Sequence, residues 1–292
     1  LSKEEKEKIE LQIDKMISSK YEFQHTNGLT SAQLDRMEED RYFDNKIVVI
    51  DEVHNIRNDT DGGEKLDRDT LIYIEKMIKY SDNLKLILGK LPKSVTLVAV
   101  SKTKPNPAIM EAYDAGHRVF GENKVQDMLA KYEELPSDIQ WHMIGHLQTN
   151  KVKFIAPFVS LIHSVDSLKL IKEIDKRAAQ NNRIIECLIQ IRIAEEETKF
   201  GLSDSEAFQV LESAKHYKNV RITGLMGMAT NTIDKSILRN EFAALKSLFL
   251  KFQSVSKDLQ IISMGMSTDY EIAIEQGSTM VRVGSAIFGQ RN

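Results

Sequence analysis

Val95–Pro105 reads VTLVAVSKTKP. The run up to Val100 is short, largely apolar and rich in β-branched residues, and it stops at Ser101 and Lys102, after which Thr103, Lys104 and Pro105 form a polar turn. A strand without a polar face has to be buried on both sides, as happens in a parallel sheet covered by helices. The stretch therefore predicts a central strand that delivers Lys102 to a rim.

Outward from it the same unit repeats. Short apolar runs alternate with amphipathic stretches, the pattern of βα units. The candidate strands are Val95–Val100, Arg118–Phe120, Gln140–Ile144, Ser160–His163, Ile184–Ile191, Arg221–Leu225, Gln260–Met264 and Met280–Val283. Ser167–Ala179 carries Leu168, Ile171, Ile174 and Ala178 at helical spacing, and Asp204–His216 opens with the capping box Ser203-x-x-Glu206. Ahead of Val95, Ile74, Met77, Ile78, Ser81, Leu84, Leu88 and Leu91 mark one face of a helix that Pro92 stops. This many strands in so short a span favours a closed (β/α)8 TIM barrel over an open doubly wound sheet.

A barrel has its site at the C-terminal strand ends, with phosphate held by the loops after strands seven and eight. SMGMSTD (263–269) and VRVGSAIFG (281–289) lie there. Gly265, Gly284 and Ser285 allow backbone amides to approach a phosphate, and Ser267 adds a hydroxyl. Lys102, at the mouth of an apolar barrel, is expected to be partly desolvated, which favours the neutral amine that condenses with an aldehyde. A lysine and a phosphate cradle together suggest pyridoxal phosphate. Lys104, before Pro105, is the weaker candidate.

The composition suits a globular chain: 292 residues, 41% hydrophobic and 28% charged, with a net charge of -3 that points to neither nucleic acid nor a membrane surface as partner. No run approaches a membrane span, and LSKEEKEKIE is the reverse of a signal peptide's apolar core, so a cytoplasmic location is expected. Cys187, the one cysteine, lies in IIECLIQI and reads as a buried strand residue rather than a nucleophile.

AVSKTKP (99–105), FGENKVQ (120–126), WHMIGHLQTNK (141–151), TKFGL (198–202), GLMGM (224–228), SMGMSTD (263–269) and GSTMVRVGSAIFG (277–289) together resemble the YggS/PROSC family of pyridoxal-phosphate homeostasis proteins, over nearly all of Ser81–Arg291. The resemblance implies a barrel of the alanine-racemase N-terminal type. It implies that Lys102 carries the cofactor as a Schiff base, that Ser267, Gly284 and Ser285 bind its phosphate, that Arg282 faces the pyridine nitrogen, and that Asn123 lies on the cofactor side of FGEN. No metal is expected. A cation opposite the ring nitrogen weakens the ring as an electron sink. The expected role is to buffer or deliver pyridoxal 5'-phosphate, with apo-enzymes as recipients; an amino-acid racemase is the alternative. Racemases of this type take a tyrosine from a further C-terminal domain, and the sequence runs out shortly after strand eight, so an open pocket is expected. Arg192 stands where the family usually has Asn. His142 and Gln148–Lys151 are candidates for the pocket mouth, although a core histidine and a solvated helix start explain them nearly as well.

Residues 1–80 read differently. Ile9, Ile13, Met16 and Ile17 mark an amphipathic helix, and Ile47–Ile50 mark a strand that ends in Asp51-Glu52-Val53-His54. That ending resembles the Walker B motif of superfamily 2 helicases, in which Asp51 would hold magnesium and Glu52 would polarise water. The phosphate loop that such an ATPase requires is missing, as is the Ser-Ala-Thr motif. The expectation is an incomplete helicase-like fragment of mixed helix and strand over 1–80, with residues 1 to about 70 loosely attached and protease-sensitive, followed by a barrel over 81–292. A nucleic-acid-dependent ATPase is the third reading.

Overall fold

The computed structural model describes residues 80–194 and 201–289. The readings of Ile9–Ile17, of Asp51–His54 and of Ile74–Ile78 fall outside them.

Within the described residues the chain alternates helix and strand throughout. A first helix, α1 (Tyr80–Lys90), precedes β1 (Thr96–Val100), α2 (Asn106–Asp114), β2 (Val119–Glu122), α3 (Val125–Glu134) and β3 (Gln140–Met143). A 3-10 turn (Thr149–Lys151) and the short α4 (Val152–Ile155) lead to β4 (Leu161–Val165), α5 (Leu168–Gln180), β5 (Ile185–Ile191) and α6 (Asp204–Ala214). Then come β6 (Val220–Gly227), α7 (Lys235–Gln253), β7 (Ile261–Ser263), α8 (Tyr270–Glu275), β8 (Met280–Val283) and α9 (Ser285–Phe288). The strands pair in parallel in chain order, and β8 returns to β1 with Thr96 opposite Met280 and Val98 opposite Arg282, which closes the barrel. The fold is the (β/α)8 barrel that the pattern predicts.

Closure explains why the strands read as apolar runs. Leu97, Ala99, Phe120, Trp141, Ile162, Cys187, Ile189 and Val281 turn outward into the layer between sheet and helices, where they join Ile109, Met128, Ile171, Phe242 and Phe252. Each large side chain buried there contributes about 1.5–3 kcal/mol. A second, smaller cluster of Val98, Leu161, Leu188, Met226 and Met280 fills the barrel itself. In β1, Val98 faces this interior while Leu97 and Ala99 face the helices, so the alternating rows of a strand fix which residues look into the barrel.

Local signals hold as well. Ser203 and Glu206 form the capping box, with the Ser203 amide donating to Oε2 of Glu206 at 2.9 Å and the Glu206 amide to Ser203 Oγ at 3.4 Å. Ser167 caps α5 by accepting from the Leu170 amide. Cys187 is buried, and burial pushes its thiol up, which leaves it inert. In α1 the buried stripe is Leu84 and Ile87, whereas Leu88 is exposed. Leu84 and Leu91 pack on the core as predicted, and Ile87 is buried in place of Leu88 where α1 packs on α2 and α9.

Candidate functional site

Ser101 and Lys102 follow directly on the end of β1. Ser101 packs outward toward α3 and is fully buried; Lys102, two residues past Val100, stands in the turn and is half-buried. The turn that follows is strained at Thr103, whose φ is 66°. Lys104 is half-buried as well, so exposure does not separate the two amines; their place in the turn does. Asn123 stands two residues beyond Gly121, as Lys102 stands two beyond Val100, and Val100 pairs with Gly121. The two therefore share the rim between β1 and β2.

The loops after β7 and β8 meet beside them. Ser267 Oγ accepts from the Gly284 amide at 3.1 Å and from the Ala286 amide at 3.4 Å, so an oxygen already sits between two backbone donors. Gly284 is pressed against β1: a Cβ there would lie 3.2 Å from the carbonyl oxygen and the Cβ of Val100. Gly265 has φ +97° and no room for a side chain, since an added Cβ would meet that of Ala273 at 2.6 Å. Asp269 accepts the Met266 amide and ties the 263–269 loop down. Ser285 is exposed at the start of α9.

Below this rim Arg282 is buried in the barrel interior. Its NH1 donates to Ser263 Oγ at 2.6 Å and its NH2 to the Gly227 carbonyl at 3.0 Å. Neither of these partners is a carboxylate. Burial lowers the guanidinium to about 10, a loss that the charge of Asp269 partly offsets, so it stays protonated near neutral pH. Ser263 Oγ also lies 3.0 Å from His163 Nδ1, and His163 Nε2 lies 3.0 Å from His142 Nδ1. Burial drives His142 down to about 3 and His163 well below its usual value, which keeps both neutral. His142 is thus a core histidine in a chain that ends on Arg282, not a residue of the mouth. Gln148, Thr149 and Asn150 line a separate cavity of ≈ 370 Å³ with His146, whose Nδ1 lies 3.1 Å from Asp166 Oδ2.

Lys102, Asn123, Ser267, Arg282, Gly284 and Ser285 come to one sector of the barrel, over β7, β8, β1 and β2. Arg192 lies away from it, just past β5, its amide donating to the Leu202 carbonyl at 3.0 Å. The sequence reading missed Ser263, His163 and Ala286. The first two were legible as polar residues on the inward rows of β7 and β4; Ala286 acts only through its amide and leaves no mark in the sequence.

The model of the alanine racemase N-terminal domain family matches residues 78–292. The pyridoxal phosphate homeostasis protein of Vibrio alginolyticus is 37% identical over 225 residues, 75% of this chain and 95% of that protein. The protein of the same name from Aquifex aeolicus is 41% identical over 205 residues, 70% of this chain and 90% of that one. The chain belongs to the pyridoxal phosphate homeostasis protein family. Among solved structures of this family's kind, PipY of Synechococcus elongatus with pyridoxal phosphate bound is 35% identical, with a TM-score of 0.67 over 72% of this chain and 100% of that one. An alanine racemase from Clostridium difficile, 12% identical with a TM-score of 0.63 over 73% of this chain and 57% of that one, shares the barrel fold. The match to the alanine racemase N-terminal domain model begins beside α1, and residues 1–77 are outside that match. Among the described residues no helix is long and apolar enough to cross a membrane.

Proposed function

We propose that this protein binds pyridoxal 5'-phosphate at the mouth of its barrel, with Lys102 as covalent anchor, and buffers or delivers the cofactor for vitamin B6 homeostasis without strong catalysis of its own. The observation that carries this reading is the convergence of a half-buried lysine just past β1, the paired amides at Ser267 and a buried arginine on one sector of the barrel. The donor set fits the group. The amides of Gly284 and Ala286 and the hydroxyl of Ser267 are donors of the kind that match the oxygens of a phosphate monoester, and the missing side chain at Gly284 lets its backbone pack close against Val100 at the end of β1. When bound, pyridoxal phosphate would supply an aldehyde that a neutral amine such as that of Lys102 could hold covalently.

Each residue then has a task. Lys102 supplies the amine, Ser267, Gly284 and Ser285 hold the phosphate, Asn123 borders the ring from the β2 side, and Arg282 faces the ring nitrogen. A guanidinium at that place keeps the nitrogen unprotonated. Without a protonated nitrogen the ring withdraws electrons weakly, which favours storage over carbanion chemistry such as racemisation. The names of the relatives and the pyridoxal phosphate bound in PipY support the same reading.

In this reading the recipients are apo-enzymes, the setting is the cytoplasm, and the chain divides into a helicase-like part, residues 1–80, and a cofactor-binding barrel, residues 81–292. The family match from residue 78 supports the division. The test is transfer: loaded protein is mixed with an apo-enzyme that requires pyridoxal phosphate, and recovery of that enzyme's activity is followed beside racemisation of alanine. Recovery without appreciable racemisation is expected. Robust racemisation that disappears with Lys102→Ala would favour the racemase instead.

A further inference from the structure

Behind Lys102 lies a buried pair of charges. Glu122, the last residue of β2, and Lys131 on α3 meet between barrel and helices, Oε1 to Nζ 2.7 Å apart, with side chains 0% and 10% exposed. Apolar side chains could fill such a place without giving up hydration, so a buried ion pair is poor evidence for a stabilising role. Oε2 of Glu122 is buried with no hydrogen-bond partner among the described residues, and burial raises the carboxyl above its usual range. The pair is therefore not arranged for its own comfort.

Its contacts converge on Ser101. The Ser101 hydroxyl donates to Glu122 Oε1 at 2.6 Å, and Lys131 Nζ donates to the Ser101 carbonyl at 2.9 Å. That carbonyl also accepts the Lys104 amide at 3.0 Å, while the Ser101 amide donates to the Gly121 carbonyl at 3.1 Å. Amide, hydroxyl and carbonyl are all engaged, so Ser101 is clamped and the next residue is Lys102. One residue further, Thr103 holds φ 66°, a left-handed conformation that a β-branched residue adopts only when its surroundings over-determine it. The clamp is the part of the surroundings that grips the turn from behind.

We propose that Glu122 and Lys131 are positioning residues that fix the backbone on which Lys102 stands, and so set the covalent share of the protein's affinity for pyridoxal phosphate. This rests on the reading of Lys102 as the anchor. Bond formation between amine and aldehyde requires a narrow range of approach, and a displacement of about 1 Å is enough to cost orders of magnitude. Binding of the ring and phosphate makes no such demand on Lys102.

The two contributions separate with two ligands. Pyridoxal 5'-phosphate carries the aldehyde; pyridoxine 5'-phosphate has the same ring and phosphate without it. The double variant Glu122→Gln, Lys131→Met removes both charges together and leaves no lone ion buried. Equilibrium dialysis of the full chain is expected to show affinity for pyridoxal phosphate reduced about tenfold or more and affinity for pyridoxine phosphate held within about twofold. Ser101→Ala, which keeps the ion pair, gives a smaller loss of the same selective kind. Equal losses for both ligands, or a double variant that does not fold, would make the pair a structural element and overturn the proposal. So would unchanged affinity for both. Lys102→Ala tests the underlying reading by itself: a preference for the aldehyde that survives it would mean that Lys102 is not the anchor.

Discussion

Ser267 Oγ lies 3.1 Å from the amide nitrogen of Gly284, which joins the loop after β7 to the loop after β8. Each loop alone is an ordinary strand-to-helix connection. Joined, they present a hydroxyl and the amides of Gly284 and Ala286 beside the end of β1.

Ser267→Ala removes the oxygen that both amides serve. The loss expected is that of a hydrogen-bonded hydroxyl, about 1 kcal/mol, or roughly fivefold in affinity. It should fall equally on pyridoxal phosphate and on pyridoxine phosphate, because the phosphate is common to both. A loss confined to the aldehyde would place Ser267 outside the phosphate cradle.

Gly265→Ala should act on the fold before it acts on the ligand. The residue has φ +97°, and the new Cβ would meet Ala273 Cβ at 2.6 Å and Tyr270 Cα at 2.9 Å, the second a backbone atom that cannot swing away. Strain and overlap together are worth about 2 kcal/mol or more. Urea unfolding should show the midpoint lowered with an unchanged slope; a variant as stable as the parent would mean that the loop after β7 rearranges freely.

Much of this architecture is legible in the residues. Met280–Val283 is read as a strand with the bounds it has, and β5 differs by one residue, because strands buried on both faces carry unbroken apolar runs. β6 extends past the predicted Leu225 to Gly227 because the pairing with β5 continues, with Met226 opposite Gln190 and Gly227 opposite Ile191. Contacts between elements are less legible. That Lys131 reaches back to Ser101, or that Ser263 joins Arg282 to His163, depends on which helix face and which strand row meet, and closure of the barrel decides that. Arg282 entered through the family resemblance, and Ser263 and His163 were legible as inward polar residues, but that the serine links the arginine to the histidine was not.

The histidine chain predicts acid sensitivity. An unfolded histidine takes up a proton near pH 6.5, whereas folded His142 resists until about 3 and His163 is also held far down. Between those limits the unfolded state binds more protons, so stability falls as pH is lowered through the window. Each histidine contributes up to about 1.4 kcal/mol per pH unit there. Glu122 works in the opposite direction, since its raised carboxyl is protonated in the folded state before it is in the unfolded one, and so relieves part of the loss. Urea unfolding at a series of pH values from 7 to 4 should give a slope that His142→Gln makes shallower. An unaltered slope would remove His142 from the account.

Lys102→Ala decides where the cofactor is anchored. Lys102 stands in a rim turn, half-buried, so its truncation deletes an amine and opens no core cavity; the melting of the barrel should stay within a few degrees of the parent's, about what a surface change costs. Ser101 remains clamped by Glu122 and Lys131 in the variant, so the turn keeps its course. What should vanish is the adduct that borohydride fixes: mass analysis of peptides after reduction is expected to place pyridoxyl phosphate on Lys102 in the parent and on no lysine in the variant. Pyridoxine phosphate, which needs no amine, should still bind through Ser267 and the amides of Gly284 and Ala286. An adduct that moves to Lys104 would mean that both amines of the turn reach the aldehyde. An adduct elsewhere in the barrel would separate the anchor from the rim that β1 builds.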